Sequence, residues 1–189
     1  RKVVEWLPFP YMQNVPFRVY SGDLPVADLG PVVAKQVLWL VILVAAGKAA
    51  WQMAKTAAEI LGVHISCGAV ITKYDHVKAN IPGIACYEAG HPVPDEKSFR
   101  ATQQAIDLVK DLGEEDAVVF LLSGGGSALF EKPLVSGAEL QNITGQLLAC
   151  GADIVEINTI RKRLSAVKGG RFAEVCAPAK VFSIVLSDL

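Results

Sequence analysis

The feature that most constrains this chain is an alternation that begins at Val37. Short apolar runs give way to stretches with apolar residues at helical spacing, and then the runs return. The run 37–45, VLWLVILVA, has no polar position to face water, so it is expected to be a buried strand. Residues Ala49 to Leu61 carry Met53, Ala57, Ile60 and Leu61 at helical spacing before Gly62 stops them. GAVITK at 68–73 predicts another strand, and a loop containing EAGHPVPDE follows. Ser98 to Leu112 then places Phe99, Thr102, Ile106 and Val109 on one helical face, closed by Gly113. AVVFLLS at 117–123 predicts a strand, and Ser136-Gly-Ala-Glu139 has the spacing of a capping box. Leu140, Ile143, Leu147 and Leu148 continue that helix to about Cys150. A further helix is expected from Asp153 to Ser165, and KVFSIVLSD at 180–188 is the last strand. Strands joined by crossover helices predict an α/β fold, with a mostly parallel sheet covered by helices on both faces.

Charge narrows the partners. With 18 Lys+Arg against 19 Asp+Glu there is no general excess of cations to neutralise a nucleic acid backbone. The apolar run at 37–46 is about half the ~20 residues that a membrane-spanning helix needs, so no membrane is expected. Cys67, Cys86, Cys150 and Cys176 form no CxxC pair and read as reduced thiols in the core of a cytoplasmic protein. The N-terminus lacks the continuous apolar stretch of a signal peptide. Pro8, Pro10, Pro16, Pro25 and Pro31 punctuate residues 1–36, which are expected to be irregular and carry no motif.

In a parallel sheet, ligands gather where strand ends feed helix N-termini. Ala45-Ala-Gly-Lys48, Ser123-Gly-Gly-Gly-Ser127 and Ser187-Asp188 all fall at that edge. A glycine-bare turn entering a helix suits an anion, because amide groups and the helix dipole meet there. The glycine run does not match GxxxxGK[ST], and an elbow centred on Ser127 would need glycine at Leu129. A phosphate cradle and a plain structural turn both remain open on spacing alone. On a helix from Asp153, Asn158, Arg161, Lys162 and Ser165 share one face, while Ile154, Ile157, Ile160 and Leu164 line another. Lys168-Gly-Gly-Arg171 adds two cations around a glycine pair. Among the histidines, His64 reads as a core or edge residue, and His76 as a loop residue. His91 lies in the stiff loop Gly90-His-Pro-Val-Pro-Asp95, flanked by Glu88, where binding and structural roles are both open.

Taken together, AAGKAA (45–50), EAGHPVPDE (88–96), LLSGGGSAL (121–129), GADIVEINTIRKRLSAVKGGR (151–171) and LSD (186–188) resemble, in order and spacing, the N-terminal part of one family. It is that of the glycerate 2-kinases with a C-terminal MOFRL domain, often labelled hydroxypyruvate reductases. The resemblance runs from about Val41 to Asp188 and implies that 37–189 is part of a Rossmann-like domain, incomplete at its C-terminal end and without the MOFRL domain.

The activity it implies is ATP-dependent phosphorylation of D-glycerate, commonly at the 2-hydroxyl, with Mg2+. By motif, Lys48, Arg161 and Lys168 would be catalytic. Ser123, Gly124, Gly125, Gly126, Ser127, Lys162, Gly169, Gly170 and Arg171 would hold phosphate or nucleotide. His91 and Asn158 would face substrate, and Asp188 would bind the metal. In the family a Gly-Asp pair follows further on, whereas this sequence stops at Leu189, so the chain by itself is expected to turn over poorly. Two other readings stand beside this one. An NAD(P)H-dependent reductase would call for GxGxxG after the first strand, where Ala45-Ala-Gly-Lys-Ala-Ala50 has a single glycine. A non-catalytic anion-binding α/β module is the third, and a homo-oligomer is left open.

Overall fold

The computed structural model describes residues 41–187. The expectations for residues 1–36, for the start of the first strand at 37–40 and for Asp188 lie outside the described residues.

A five-stranded sheet organises the chain, with strand order β3-β2-β1-β4-β5. The strands are β1 (Val41–Ala46), β2 (Ile65–Lys73), β3 (Ile84–Ala89), β4 (Ala117–Leu122) and β5 (Lys180–Val185). Every neighbouring pair is parallel, so the carboxyl ends share one edge. β1 is central and every residue in it is buried, as its uninterrupted apolar sequence requires.

The two-residue period of β1 divides the core. Ile42, Val44 and Ala46 point to one face, where α2 (Glu96–Val109) and the short α6 (Arg171–Cys176) supply Ala101, Ala105, Val109, Phe172 and Cys176. Leu43 and Ala45 point to the other, where α1 (Ala50–Leu61) supplies Ala50, Trp51 and Ala54. The remaining helices are α3 (Gly126–Leu129), α4 (Gly137–Ala149) and α5 (Ile154–Arg163). Side-chain caps fix three starts: Asp95 with Ser98, Ser136 with Glu139, and Asp153 with Glu156 each form a reciprocal capping box.

Four expectations are corrected. The segment read as a loop before α2 contains β3, an edge strand with only its ends buried, so its sequence IACYEA shows no clean apolar run. The packing face of α1 is the small-residue side around Ala50 and Ala54, which lets the helix lie close to the sheet, and Ile60 is exposed. Leu148 and Ile160 are likewise exposed, so α4 and α5 bury narrower stripes than their sequences suggest, anchored by Leu140 and Ile157. Of the four thiols only Cys176 is buried; Cys150 is exposed, and all four are free.

Candidate active site at the carboxyl edge of the sheet

β1 and β4 are neighbours, and the turns that leave them are stitched together. Ser123 donates its amide to the Ala46 carbonyl at 3.0 Å, and Lys48 donates its amide to the Gly124 carbonyl at 2.8 Å. The Ser123 hydroxyl accepts the Ala49 amide at 3.0 Å and so satisfies one of the unpaired donors that begin α1. This closeness demands Gly47, whose φ is 131°. A Cβ there would run into the Ser123 side chain and lie 2.6 Å from the Ser123 carbonyl oxygen.

The glycine loop itself is partly spent. Ser123 and Gly126 commit their amides within the chain, the latter to the Ser123 carbonyl at 3.1 Å. This corrects the expectation of an amide from every residue of 123–127. Among the described residues Gly124, Gly125 and Ser127 keep theirs, and Gly125 turns the chain at φ 81° into α3. Around Gly125 stand two of the expected residues: a Cβ there would meet His91 Nε2 at 2.6 Å and Lys48 Cγ at 3.4 Å. Burial, with Lys48 and Lys73 adding to it, holds the His91 imidazole below its ordinary pKa, so it faces the loop neutral at neutral pH.

The segment after β2 braces this group. His76 Nδ1 lies 3.0 Å from the Lys48 carbonyl oxygen, so the residue read as a plain loop histidine helps fix the Lys48 turn. His76 and Val77 donate their amides to Glu88 Oε1 at 3.0 and 2.9 Å. These donors, led by Val77, lower the Glu88 pKa against the opposing effect of burial. Asp95 accepts the Tyr74 hydroxyl at 2.6 Å and the Ser98 amide at 2.9 Å.

On the other side of the loop a cavity of about 440 Å³ opens. Gly126, Ser127, Asn158, Lys162, Lys168, Gly169 and Gly170 line its polar part, which joins these expected residues in one place. Phe120 and Phe172, in tilted contact with ring centroids 4.8 Å apart, form its apolar floor.

Three of the expected cations are engaged by protein partners. Arg171 donates through Nη1 to the carbonyls of Ser165, Arg163 and Lys162, at 2.5, 3.2 and 3.4 Å. It caps the carboxyl end of α5, and Arg171 is not among the residues that line the cavity. Arg161 is directed to Glu131, with Nη2 3.6 Å from Oε2. Lys168 pairs with the same oxygen and also reaches the Phe130 carbonyl at 3.4 Å. Burial pulls the Lys168 ammonium below the ordinary lysine range; Glu131 opposes this and Arg161 adds to it.

The sequence reads as the family described as Domain of unknown function (DUF4147) over residues 27–189. It is 59% identical to a D-glycerate 2-kinase of Thermotoga maritima over 79% of this chain and 36% of that protein. It belongs to the DUF4147 family. A glycerate 2-kinase of Pyrococcus horikoshii is 42% identical over 79% of this chain and 33% of its own length. The crystal structure of a Thermotoga maritima glycerate kinase superposes with a TM-score of 0.78 at 56% identity, over 85% of this chain and 39% of that one. The chain thus spans about a third of the length of the curated relatives it matches. These family members share the parallel α/β architecture described above.

Glu131 is the site residue that sequence reading missed. It is fully buried, yet in Phe130-Glu-Lys132 it looks like an ordinary surface charge, and its partner Lys168 lies 37 residues away. Among the described residues no cluster of His, Cys, Asp or Glu has the makings of a metal site. Glu88, Asp95 and Glu131 each accept from protein donors, and they lie in no common cluster that could hold Mg2+. Also among the described residues, no helix is long and apolar enough to cross a membrane.

Proposed function

We propose that this chain supplies the phosphate-binding half of an ATP-dependent glycerate kinase acting on D-glycerate at its 2-hydroxyl. The observation that carries the reading is the stitched turn pair: the Lys48 amide donates to the Gly124 carbonyl, and Lys48 Cγ lies 3.4 Å from where a Cβ on Gly125 would stand, beside the glycine loop. Names and identities of the relatives support the substrate.

Phosphoryl transfer asks a protein chiefly for positioning and for charge that matches the transition state. In this reading the bare amides donate hydrogen bonds to phosphate oxygens and are fixed in place before reaction. Lys48 sits one side chain away and stabilises charge on the transferring group. The 440 Å³ cavity takes the nucleotide, with Lys162 and Lys168 toward its phosphates and Phe120 and Phe172 against its apolar part. Neutral His91 and Asn158 are the candidates for contact with glycerate. Asp188 is the candidate ligand for Mg2+.

ADP release coupled to a reporter, with D-glycerate and ATP, tests the reading in the kinase that carries this chain. Turnover that needs both substrates is the expected outcome. NADH oxidation by hydroxypyruvate without any ADP release would reverse it in favour of a reductase. ATP and glycerate binding with no phosphoglycerate formed would favour a binding module.

A further inference from the structure

A buried carboxylate is costly unless its neighbours hold it, and Glu131 is held by only one of its two oxygens. Oε2 meets both Lys168 and Arg161, whereas Oε1 is buried with no partner among the described residues. The Glu131 amide donates to Thr102 Oγ1 at 3.1 Å, which pins the residue to α2. Two cations against one carboxylate leave one surplus positive charge, and Lys168 carries its part of it to the wall of the cavity beside Ser127 and Asn158. Glu131 also follows α3 almost directly, so the glycine loop and the lysine wall are tied through a single residue.

We infer that Glu131 is a positioning residue: it fixes the Lys168 ammonium at the cavity wall, with Arg161 as second partner, in the geometry that a bound polyphosphate meets. This rests on the phosphate reading of the cavity but has a consequence that can be read without any ligand. Simple charge counting and positioning predict opposite results. Removing a negative charge near an anion site strengthens anion binding by Coulomb attraction. Removing a positioning group weakens it, because Lys168 is no longer held where the anion needs it.

The test uses the 189-residue chain, with inorganic tripolyphosphate as the probe, in the variants Glu131→Gln, Glu131→Asp and Lys168→Met. Calorimetry is expected to show about tenfold weaker tripolyphosphate binding for Glu131→Gln, equal to a loss of about 1.4 kcal/mol. Glu131→Asp, which keeps the charge and shortens the reach, is expected to fall between it and the parent. In the Lys168→Met background, Glu131→Gln is expected to add little, since both act through one ammonium. Unchanged or tighter binding by Glu131→Gln, or an equal loss in both backgrounds, overturns the proposal.

Amine labelling of Lys168, followed by mass spectrometry, is the second arm and needs no ligand. Glu131→Gln is expected to raise the labelling rate several-fold over the parent, and Glu131→Asp to raise it less. An unchanged rate in folded protein overturns the proposal. If the parent chain binds no tripolyphosphate, the phosphate reading of the cavity fails, and the labelling arm still decides the role of Glu131. Should Glu131→Gln fail to fold, Glu131→Asp carries both measurements.

Discussion

Replacing Gly47 by alanine tests whether the site depends on the close approach of two turns. Two costs add. At φ 131° a side chain is strained by about 1–3 kcal/mol. The new Cβ also meets Ser123 backbone, with the carbonyl oxygen at 2.6 Å and its carbon at 2.9 Å, and backbone of that kind has no rotamer by which to yield. The turns must separate, which breaks the bonds from Lys48 to Gly124 and from Ala49 to Ser123, each contributing about 1 kcal/mol. The sum is about 3–5 kcal/mol. Gly62→Ala is the matched control, since Gly62 also has positive φ, 52°, but a Cβ there meets nothing within 4 Å. Its cost is the backbone part alone, about 1–3 kcal/mol, as for Gly47 without the two broken bonds. In urea melts with a slope of about 2 kcal/mol per molar, the two midpoints should differ by about 1 M. Equal midpoints would refute the argument that the turns are locked by contact, and would reduce Gly47 to an ordinary turn glycine.

Three other expectations follow from the site. Lys48→Ala should lower glycerate-dependent ADP release by about two to three orders of magnitude while the KM for glycerate moves only a few-fold, and near-normal turnover would take Lys48 out of the chemistry. Burial disfavours the Asp95 carboxylate, but donors led by Tyr74 and Ser98 outweigh it and hold its pKa at about 2, below the ordinary 3.8. The folded state therefore releases this proton more readily than the unfolded one, so the stabilisation is full above pH 3.8 and is lost as pH falls toward 2. After allowance for solvent screening it amounts to about 1 kcal/mol, and acid titration of Asp95→Asn should lack that part of the slope. Arg171→Met should lower the melting temperature by several degrees yet leave tripolyphosphate affinity within about twofold; a tenfold loss of affinity in a protein of unchanged stability would return Arg171 to the binding wall.

Legibility followed the range of the interactions. β1 and β4 are fully or nearly buried and announce themselves as apolar runs, and the Ser136 capping box is a spacing rule that held. β3 was hidden because an edge strand need not be apolar throughout, and Glu88 within it serves the 76–77 amides. The cations of 158–171 were visible as a set, but nothing local separates Lys162, which lines the cavity, from Arg171, which folds back on α5. That choice is made by carbonyls exposed at a helix end. Glu131 was out of reach for the same reason, because its burial is decided by elements distant in sequence.

The Ser123 hydroxyl and the Ala49 amide are 74 residues apart, and their bond exists only when β1 and β4 lie side by side. The cradle therefore has no precursor in any local fragment. It exists only in a sheet that places β4 against one edge of β1 and the two intervening strands, β2 and β3, on the other side. A ligand seated there recognises the completed strand order and no earlier state. At a hundred times its dissociation constant it would add about 2.7 kcal/mol to the native state, so anion binding doubles as a reporter of correct topology.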